Sequence, residues 1–247
     1  MGNRHHMLEK ALNILELISK EEAGLTFSDI TMELGIAKSS AHSLLYTFED
    51  MGYVRKDRDS GKYKIGLKTF EIGSSFFQSG GINKYVHDVL KELVEEVGET
   101  AHLAALSGSD IVYIDKYDCS HAVRMISQIG KRVMAHATAI GKAILAYKDF
   151  DEIDRLYQDE NLPVMTENTI GSKTRLMAEL KEIRRTGFST ETEESTPGIQ
   201  CVAVCVVNEK IKDDMAMSIA VPLSRSGGSI ERFKEPILRA KEKLEAL

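Results

Sequence analysis

The chain has 247 residues, 43% hydrophobic and 28% charged, with a formal net charge of −6. That length suits one large or two modest domains, each able to bury its own core, and the composition is that of a soluble globular protein. No apolar run approaches the roughly 20 residues that span a bilayer, no secretory signal is visible, and three cysteines are too few for a disulfide framework, which favours a reducing cytoplasm.

The first element in chain order is "MLEKALNILELISK", whose Met7 offers an alternative start to Met1. It places Leu8, Ala11, Leu12, Leu15 and Ile18 on one stripe of an amphipathic helix. "LTFSDITMELG" then carries a cap residue, Thr26 or Ser28, and Ile30 and Leu34 on one face before it stops at Gly35. "GIAKSSAHSLLYTFE" follows, with Ala41, Leu44, Leu45 and Phe48 at helical spacing behind a small polar edge. Two short helices joined by a Gly turn have the spacing of a helix-turn-helix.

"GYVRKD" and "KYKIG" read as strands joined by "RDSG", a hairpin that makes the unit a winged helix-turn-helix. From Gly52 to Lys68 six basic residues oppose two acidic ones, a local +4 inside an acidic chain, whereas Asp151 to Glu194 carries −5. On this reading the wing cations Arg55, Lys56, Arg58 and Lys62 neutralise phosphates. Lys38, Ser39, Ser40, His42 and Ser43 enter the major groove of double-stranded DNA at the start of the second helix. The bland alternative makes Ser39 an N-cap and the hairpin a solvated edge.

"LKTFEIGSSFFQSGGINKYVHDVLKELVEEVGE" reads as two helical pieces parted by "QSGG", with Gly80 and Gly81 as a hinge. Leu67, Phe70, Phe76 and Phe77 form an apolar face too large to leave wet. It packs either on its own winged helix or on a second copy, and paired half-sites favour the second copy.

Beyond Lys84 helices mix with strands. "TAHLAALSGSDIVYIDKYD" is a hairpin, and "VRMISQIGKRVMAHATAIGKAILAY" runs from a strand through a Gly turn into a helix. "DEIDRLYQD" and "SKTRLMAELKEIRRTG" are further helices, "GIQCVAVCVV" and "DMAMSIAVPLS" apolar strands, and "SIERFKEPILRAKEKLEAL" a closing helix. Late antiparallel strands faced by helices describe an α+β domain. "HATAIGK" opens a helix whose free N–H groups suit a carboxylate, or else one capped by its own Thr138.

Cys201, His136 and Glu191 are the residue types of a nucleophile set, but a strand Cys is more often a small core residue. Cys201 and Cys205 stand about 13 Å apart on an extended strand and cannot share a metal ion. His102 and His121 read as structural or solvent-facing. No phosphate-loop, metalloprotease or CxxC pattern is present, so no catalytic residue, metal or cofactor is expected.

The run "ALNILELI…GLTFSDITMELGIAKSSAHSLLYTFEDMGYVRKDRDSGKYKIG" resembles the winged helix of the IclR (isocitrate lyase regulator) family of bacterial transcription regulators. Similarity extends through "GETAHLAAL", "IVYIDK", "GKRVMAHATAIGKAILA" and "ETEESTPGIQCVAV", to cover nearly all of residues 7–240. Ser43 departs from the Arg common after the helix His in that family. The resemblance implies a winged helix-turn-helix in residues 1–66, a linker helix and hinge in 67–81, and a GAF-like effector-binding domain in 82–247. It also implies a cytoplasmic homodimer or tetramer that binds operator DNA and a small organic-acid effector. By residue-wise match the effector site takes Met125, Val133, Ala139, Ile140, Glu191, Ile199, Cys201, Ser218 and Ala220. Glu191 stands where pyruvate and glyoxylate sensors of the family carry Asp, and Ala220 where they carry Ser, which points away from the smallest keto acids.

Overall fold

Local signals set most of the boundaries in the computed structural model, which describes residues 5–78, 82–123, 125, 127–208, 214–227 and 229–246. The chain divides into two compact units, Met1–Gly81 and Ile82–Leu247.

The first unit contains α1 (His6–Ser19), α2 (Phe27–Leu34), α3 (Lys38–Asp50), the hairpin β1 (Val54–Lys56) and β2 (Tyr63–Ile65), and α4 (Leu67–Gln78). Thr26, the first of the two expected caps, starts α2 through a capping box. Its Oγ1 accepts from the Asp29 amide at 3.2 Å, and Asp29 Oδ2 accepts from the Thr26 amide at 2.9 Å. Gly35 ends the helix at φ 58°, a left-handed conformation that suits glycine. The core gathers Ile14, Ile18, Ile30, Ile36, Ala41, Leu45, Val54 and Tyr63.

In α1 the expected stripe is out of phase. Ala11, Ile14 and Ile18 face inward, while Leu8 and Leu12 remain 58% and 50% exposed. The helix carries two apolar arcs, and its own unit covers only one. On α4, Leu67 and Phe70 are exposed as well. The side chains of Phe76 and Phe77, and the Gly80–Gly81 hinge, lie outside the described residues.

The second unit comprises α5 (Ile82–Val97), β3 (Thr100–Ser107), β4 (Asp110–Tyr117), β5 (Arg132–Met134), α6 (Ala139–Leu145), α7 (Phe150–Leu156) and α8 (Lys173–Thr186). After these come β6 (Ser189–Thr192), β7 (Ile199–Val206), β8 (Met215–Pro222), α9 (Leu223–Ser226) and α10 (Lys234–Glu245). Six strands form one antiparallel sheet in the order β5-β4-β3-β8-β7-β6. With helices on both faces, the unit is α+β, as expected.

Alternation along the strands divides the sheet residues between two cores. Leu103, Val202, Val204, Met217, Ile219 and Val221 face α5 and α10 with Leu90, Phe233 and Ile237. Ala104, Cys201, Ala203, Ala216 and Ala220 face α6 and α8 with Ile140, Ile144, Leu176 and Leu180.

Two expectations shift. Ahead of Gly130, Arg124 and Ile126 lie outside the described residues, and the strand of this stretch is β5, after the Gly turn. β5 is placed by pairing with β4, Val133 opposite Ile111. The closing helix begins with a 3-10 turn, Glu231–Phe233, ahead of α10. Among the described residues no helix is long and apolar enough to cross a membrane.

Candidate DNA-binding surface and effector chamber

On the first unit, Lys38, Ser39, His42 and Ser43 of α3 are exposed and Ser40 is half-buried, while Ala41 and Leu45 anchor the opposite face in the core. α3 starts at Ala37, with no side-chain cap. Ser39 is therefore not the N-cap, and the first amides of the helix are left without a side-chain acceptor. The imidazole of His42 packs edge-on to Phe27, ring centroids 6.5 Å apart, which fixes its direction.

In the hairpin, Arg55 lies directly opposite Lys64, and Lys56 opposite Tyr63. Lys56 Nζ sits 5.2 Å from the centre of the Tyr63 ring. Asp57 shapes the turn by accepting from the Ser60 amide and hydroxyl at 2.8 and 2.7 Å. These hydrogen bonds hold the Asp57 carboxyl below its usual range. Arg58 is exposed near the tip and Lys62 is half-buried. Two like charges facing each other across a ladder are mutually destabilising, and Arg55 with Lys64 is such a pair.

The second unit encloses a small chamber of about 10 Å³ between the sheet and the start of α6. Six of the expected effector residues line it: Met125, Ala139, Ile140, Glu191, Cys201 and Ser218. Val133 lines instead an adjoining outer cleft of about 290 Å³, in which Met125 also takes part. Ile199 and Ala220 line neither and are buried in the core. Four further residues line it that are outside the matched effector set: His102, Tyr113, Thr138 and Ser195.

Of the two readings of His102, structural and solvent-facing, its burial removes the second. It is 1% exposed, its Nε2 is hydrogen-bonded to Ser127 Oγ at 2.8 Å, and burial lowers its pKa to about 4, so the imidazole is neutral. Its period-two position on β3, facing the same side as Ala104, was the available signal. Burial also pushes the Tyr113 phenol up.

Glu191 is 3% exposed. Its carboxylate accepts from the Glu194 amide at 2.9 Å, the Ser195 amide at 3.3 Å and the Ser195 hydroxyl at 3.0 Å. Cys201 stands directly opposite Glu191 across the β6–β7 ladder. Burial raises the Glu191 carboxyl and those donors restrain the rise. The turn after β6 holds Glu193 at φ 56°, a strained value for a residue with a side chain. That turn directs Glu191 and Ser195 into the chamber and Glu194 toward Lys142.

Lys142 is fully buried. Its ammonium pairs with Glu194 at 2.7 Å and, more closely still, with Glu179 of α8. Burial raises Glu194 to about 7 against the pull of Lys142. This buried cation is thus already matched by two carboxylates.

At the start of α6, Thr138 Oγ1 accepts from the Gly141 amide at 3.0 Å, a cap that occupies one of the first amides of the helix, while Ala139 and Ile140 line the chamber. A Cβ at Gly141 would lie 2.3 Å from the Ala135 carbonyl oxygen, so only glycine allows this approach.

His136 does not join Cys201 and Glu191. Its Nε2 donates to the Pro163 carbonyl at 2.8 Å, and its ring packs edge-on to Tyr157. Burial beside Glu191 pushes the Cys201 thiol well up, which leaves it a poor nucleophile. Among the described residues no group of three or more His, Cys, Asp or Glu is placed to hold a metal ion.

A winged helix-turn-helix followed by an α+β unit with a polar chamber is the architecture of a two-domain transcription regulator. The family description "IclR helix-turn-helix domain" matches residues 7–58, and "Bacterial transcriptional regulator IclR C-terminal" matches residues 75–246. The chain belongs to the IclR family of bacterial transcriptional regulators, which are not enzymes.

Transcriptional repressor IclR of Escherichia coli (strain K12) is 33% identical over 236 residues, 94% of this chain and 86% of that protein. The crystal structure of the Thermotoga maritima IclR superposes with a TM-score of 0.74 at 29% identity, covering 98% of each chain. An IclR homologue from Microbacterium hydrocarbonoxydans, complexed with 4-hydroxybenzoate, has a TM-score of 0.85 at 20% identity over 97% of this chain and 98% of that one, a likeness of fold.

Proposed function

We propose that the protein binds operator DNA as a dimer, or as a pair of dimers, and that a small organic acid in the second unit changes its DNA affinity. The Arg55–Lys64 pair carries the DNA reading. A hairpin that holds two cations face to face gives up stability in isolation and recovers it against a polyanion. The uncapped start of α3 adds free amides beside Lys38 and Ser39, suited to phosphate oxygens. His42 and Ser43, one turn on, are then the side chains aimed at base edges, with Ser40 close behind.

Exposed Leu8, Leu12, Leu67 and Phe70 support self-association through α1 and α4. A two-fold arrangement sets paired recognition helices one or more helical turns apart. The effector then acts by population shift, favouring one arrangement of the paired helices. The site of action is the cytoplasm, where the DNA is.

The test is the salt dependence of binding to genomic fragments that the protein itself selects. Arg55→Ala with Lys56→Ala should weaken binding to every duplex and lower the slope of log K against log salt by about 2. Affinity that ignores salt in the unsubstituted protein would falsify the DNA reading.

A further inference from the structure

β6 is the last strand of the sheet, so one of its edges pairs with β7 and the other is open. The Glu193 amide donates to the Ile199 carbonyl at 2.8 Å. Antiparallel pairs alternate between hydrogen-bonded and non-hydrogen-bonded, so Glu191 and Ser189 also turn their backbone groups toward β7. The N–H and C=O groups of Thr190 and Thr192 therefore face the open edge, where no partner meets them among the described residues.

That edge borders a cleft of about 560 Å³ between β6 and α8, in which Thr190 and Thr192 are exposed. A length of four residues discourages pairing with a copy of itself. The flanking charges say what the edge accepts instead. Four glutamates line the cleft against one lysine, Lys234, which is engaged by Glu231 at 2.7 Å and lies over the Phe188 ring. Behind the wall a single ammonium, Lys142, serves both Glu179 and Glu194, which leaves one negative charge in excess. Glu194 Oε2 is buried with no hydrogen-bond partner, and the excess shows at that atom.

Alternation sorts the two sides of the edge. Phe188, Thr190 and Thr192 project toward the α5/α10 face, and Glu191 toward the face on which α8 packs. A strand laid along the edge repeats that alternation. Its side chains on the α8 side meet Glu179 and Glu182, and those on the other side meet Phe188 and the threonine methyls.

We propose that the open edge of β6 takes an extended segment of a partner protein by strand addition, a segment in which lysine or arginine alternates with apolar residues. The partner's main chain pairs with Thr190 and Thr192, and its side chains supply the specificity. A second copy of this chain is the poorer occupant, because a two-fold axis would bring like charges together. The site depends on neither the effector chamber nor the DNA surface.

The test is fluorescence anisotropy of the full chain with labelled synthetic peptides. The probe alternates lysine with valine. One control replaces each lysine by glutamate, and the other carries methyl groups on the backbone nitrogens that would face β6. The probe should bind with an affinity that falls as salt rises, and both controls at least about tenfold more weakly. Glu182→Lys, at an exposed position, should weaken the probe by about threefold or more. Thr190→Pro removes an amide on the open edge, where a strand tolerates proline, and should weaken it by about tenfold. If that proline destabilises the second unit, the methylated peptide puts the same question to the unsubstituted protein.

Equal binding of the glutamate peptide removes the charge argument, equal binding of the methylated peptide removes strand pairing, and either result overturns the proposal. A probe that does not bind overturns it too. Binding that ignores both substitutions is attraction of a polycation to an acidic protein, and also ends it. A Thr190→Pro protein that sediments as a smaller assembly without peptide gives the edge to a second copy instead.

Discussion

The two faces of the six-stranded sheet are made from alternate residues of the same strands, yet they are built for different ends. Toward α5 and α10 the strands present Leu103, Val202, Val204, Met217, Ile219 and Val221, and the space is filled. Toward α6 the same strands present Ala104, Cys201, Ala203, Ala216, Ser218 and Ala220, with His102 among them. Small side chains on a buried face leave room, bordered by Glu191, which accepts from the Ser195 hydroxyl, and by His102, which is hydrogen-bonded to Ser127. One face is filled by large apolar side chains and the other borders a small polar chamber.

If the α5/α10 face is the structural one, it should fail first under truncation. Phe233 is 1% exposed, among the largest fully buried side chains, and Phe233→Ala should cost about 3–5 kcal/mol. Chemical denaturation of the full chain should show the transition of the second unit moving to lower denaturant with the first unit unchanged. A loss under about 1 kcal/mol would mean that the two faces are not energetically distinct.

That division was only half legible in the sequence. The strands were readable as apolar runs, and the winged helix was readable throughout, because helix period, Gly turn and basic hairpin are contiguous signals. The chamber was not, because its members meet only through register: Glu191 opposite Cys201, Ala203 opposite Ser218, His102 opposite Ser218. His102 read as structural or solvent-facing and Lys142 drew no reading, since nothing adjacent in sequence announces the partners that allow burial. Ser127, Glu179 and Glu194 lie 25, 37 and 52 residues further along the chain. Leu8 and Leu12 misled in the opposite direction, as apolar residues with no partner in their own unit.

A pH titration separates the faces next, because the α6 face carries His102 and, behind it, the Lys142–Glu194 pair. His102 has a folded pKa of about 4 against an ordinary 6.5. Below pH 6.5 the unfolded chain takes up a proton that the folded chain refuses, so stability falls as pH drops from 6.5 toward 4, by up to about 3 kcal/mol. Glu194 works in the other sense. Raised to about 7, it binds a proton more tightly when folded, so its contribution falls as pH rises from about 4.5 to 7. His102→Gln should therefore flatten the acid limb and expose the opposing Glu194 slope. An acid limb that survives His102→Gln unchanged would assign the titration to other groups.

The smallest expected change in stability gives the sharpest functional contrast. Ser218 is 4% exposed and lines the inner chamber. Ser218→Val replaces a hydroxyl by a methyl, adds a second methyl directed at the void, and suits a strand. The net cost should stay within about 1 kcal/mol, because the added group meets space rather than close-packed neighbours. The same methyl occupies the chamber in which the proposed effector would sit. The melting temperature should then hardly move, while the stabilisation by any small organic acid that the unsubstituted protein binds should disappear. A valine that costs several kcal/mol would show the α6 face to be as tightly filled as the other, and the hollow to be no more than a packing imperfection.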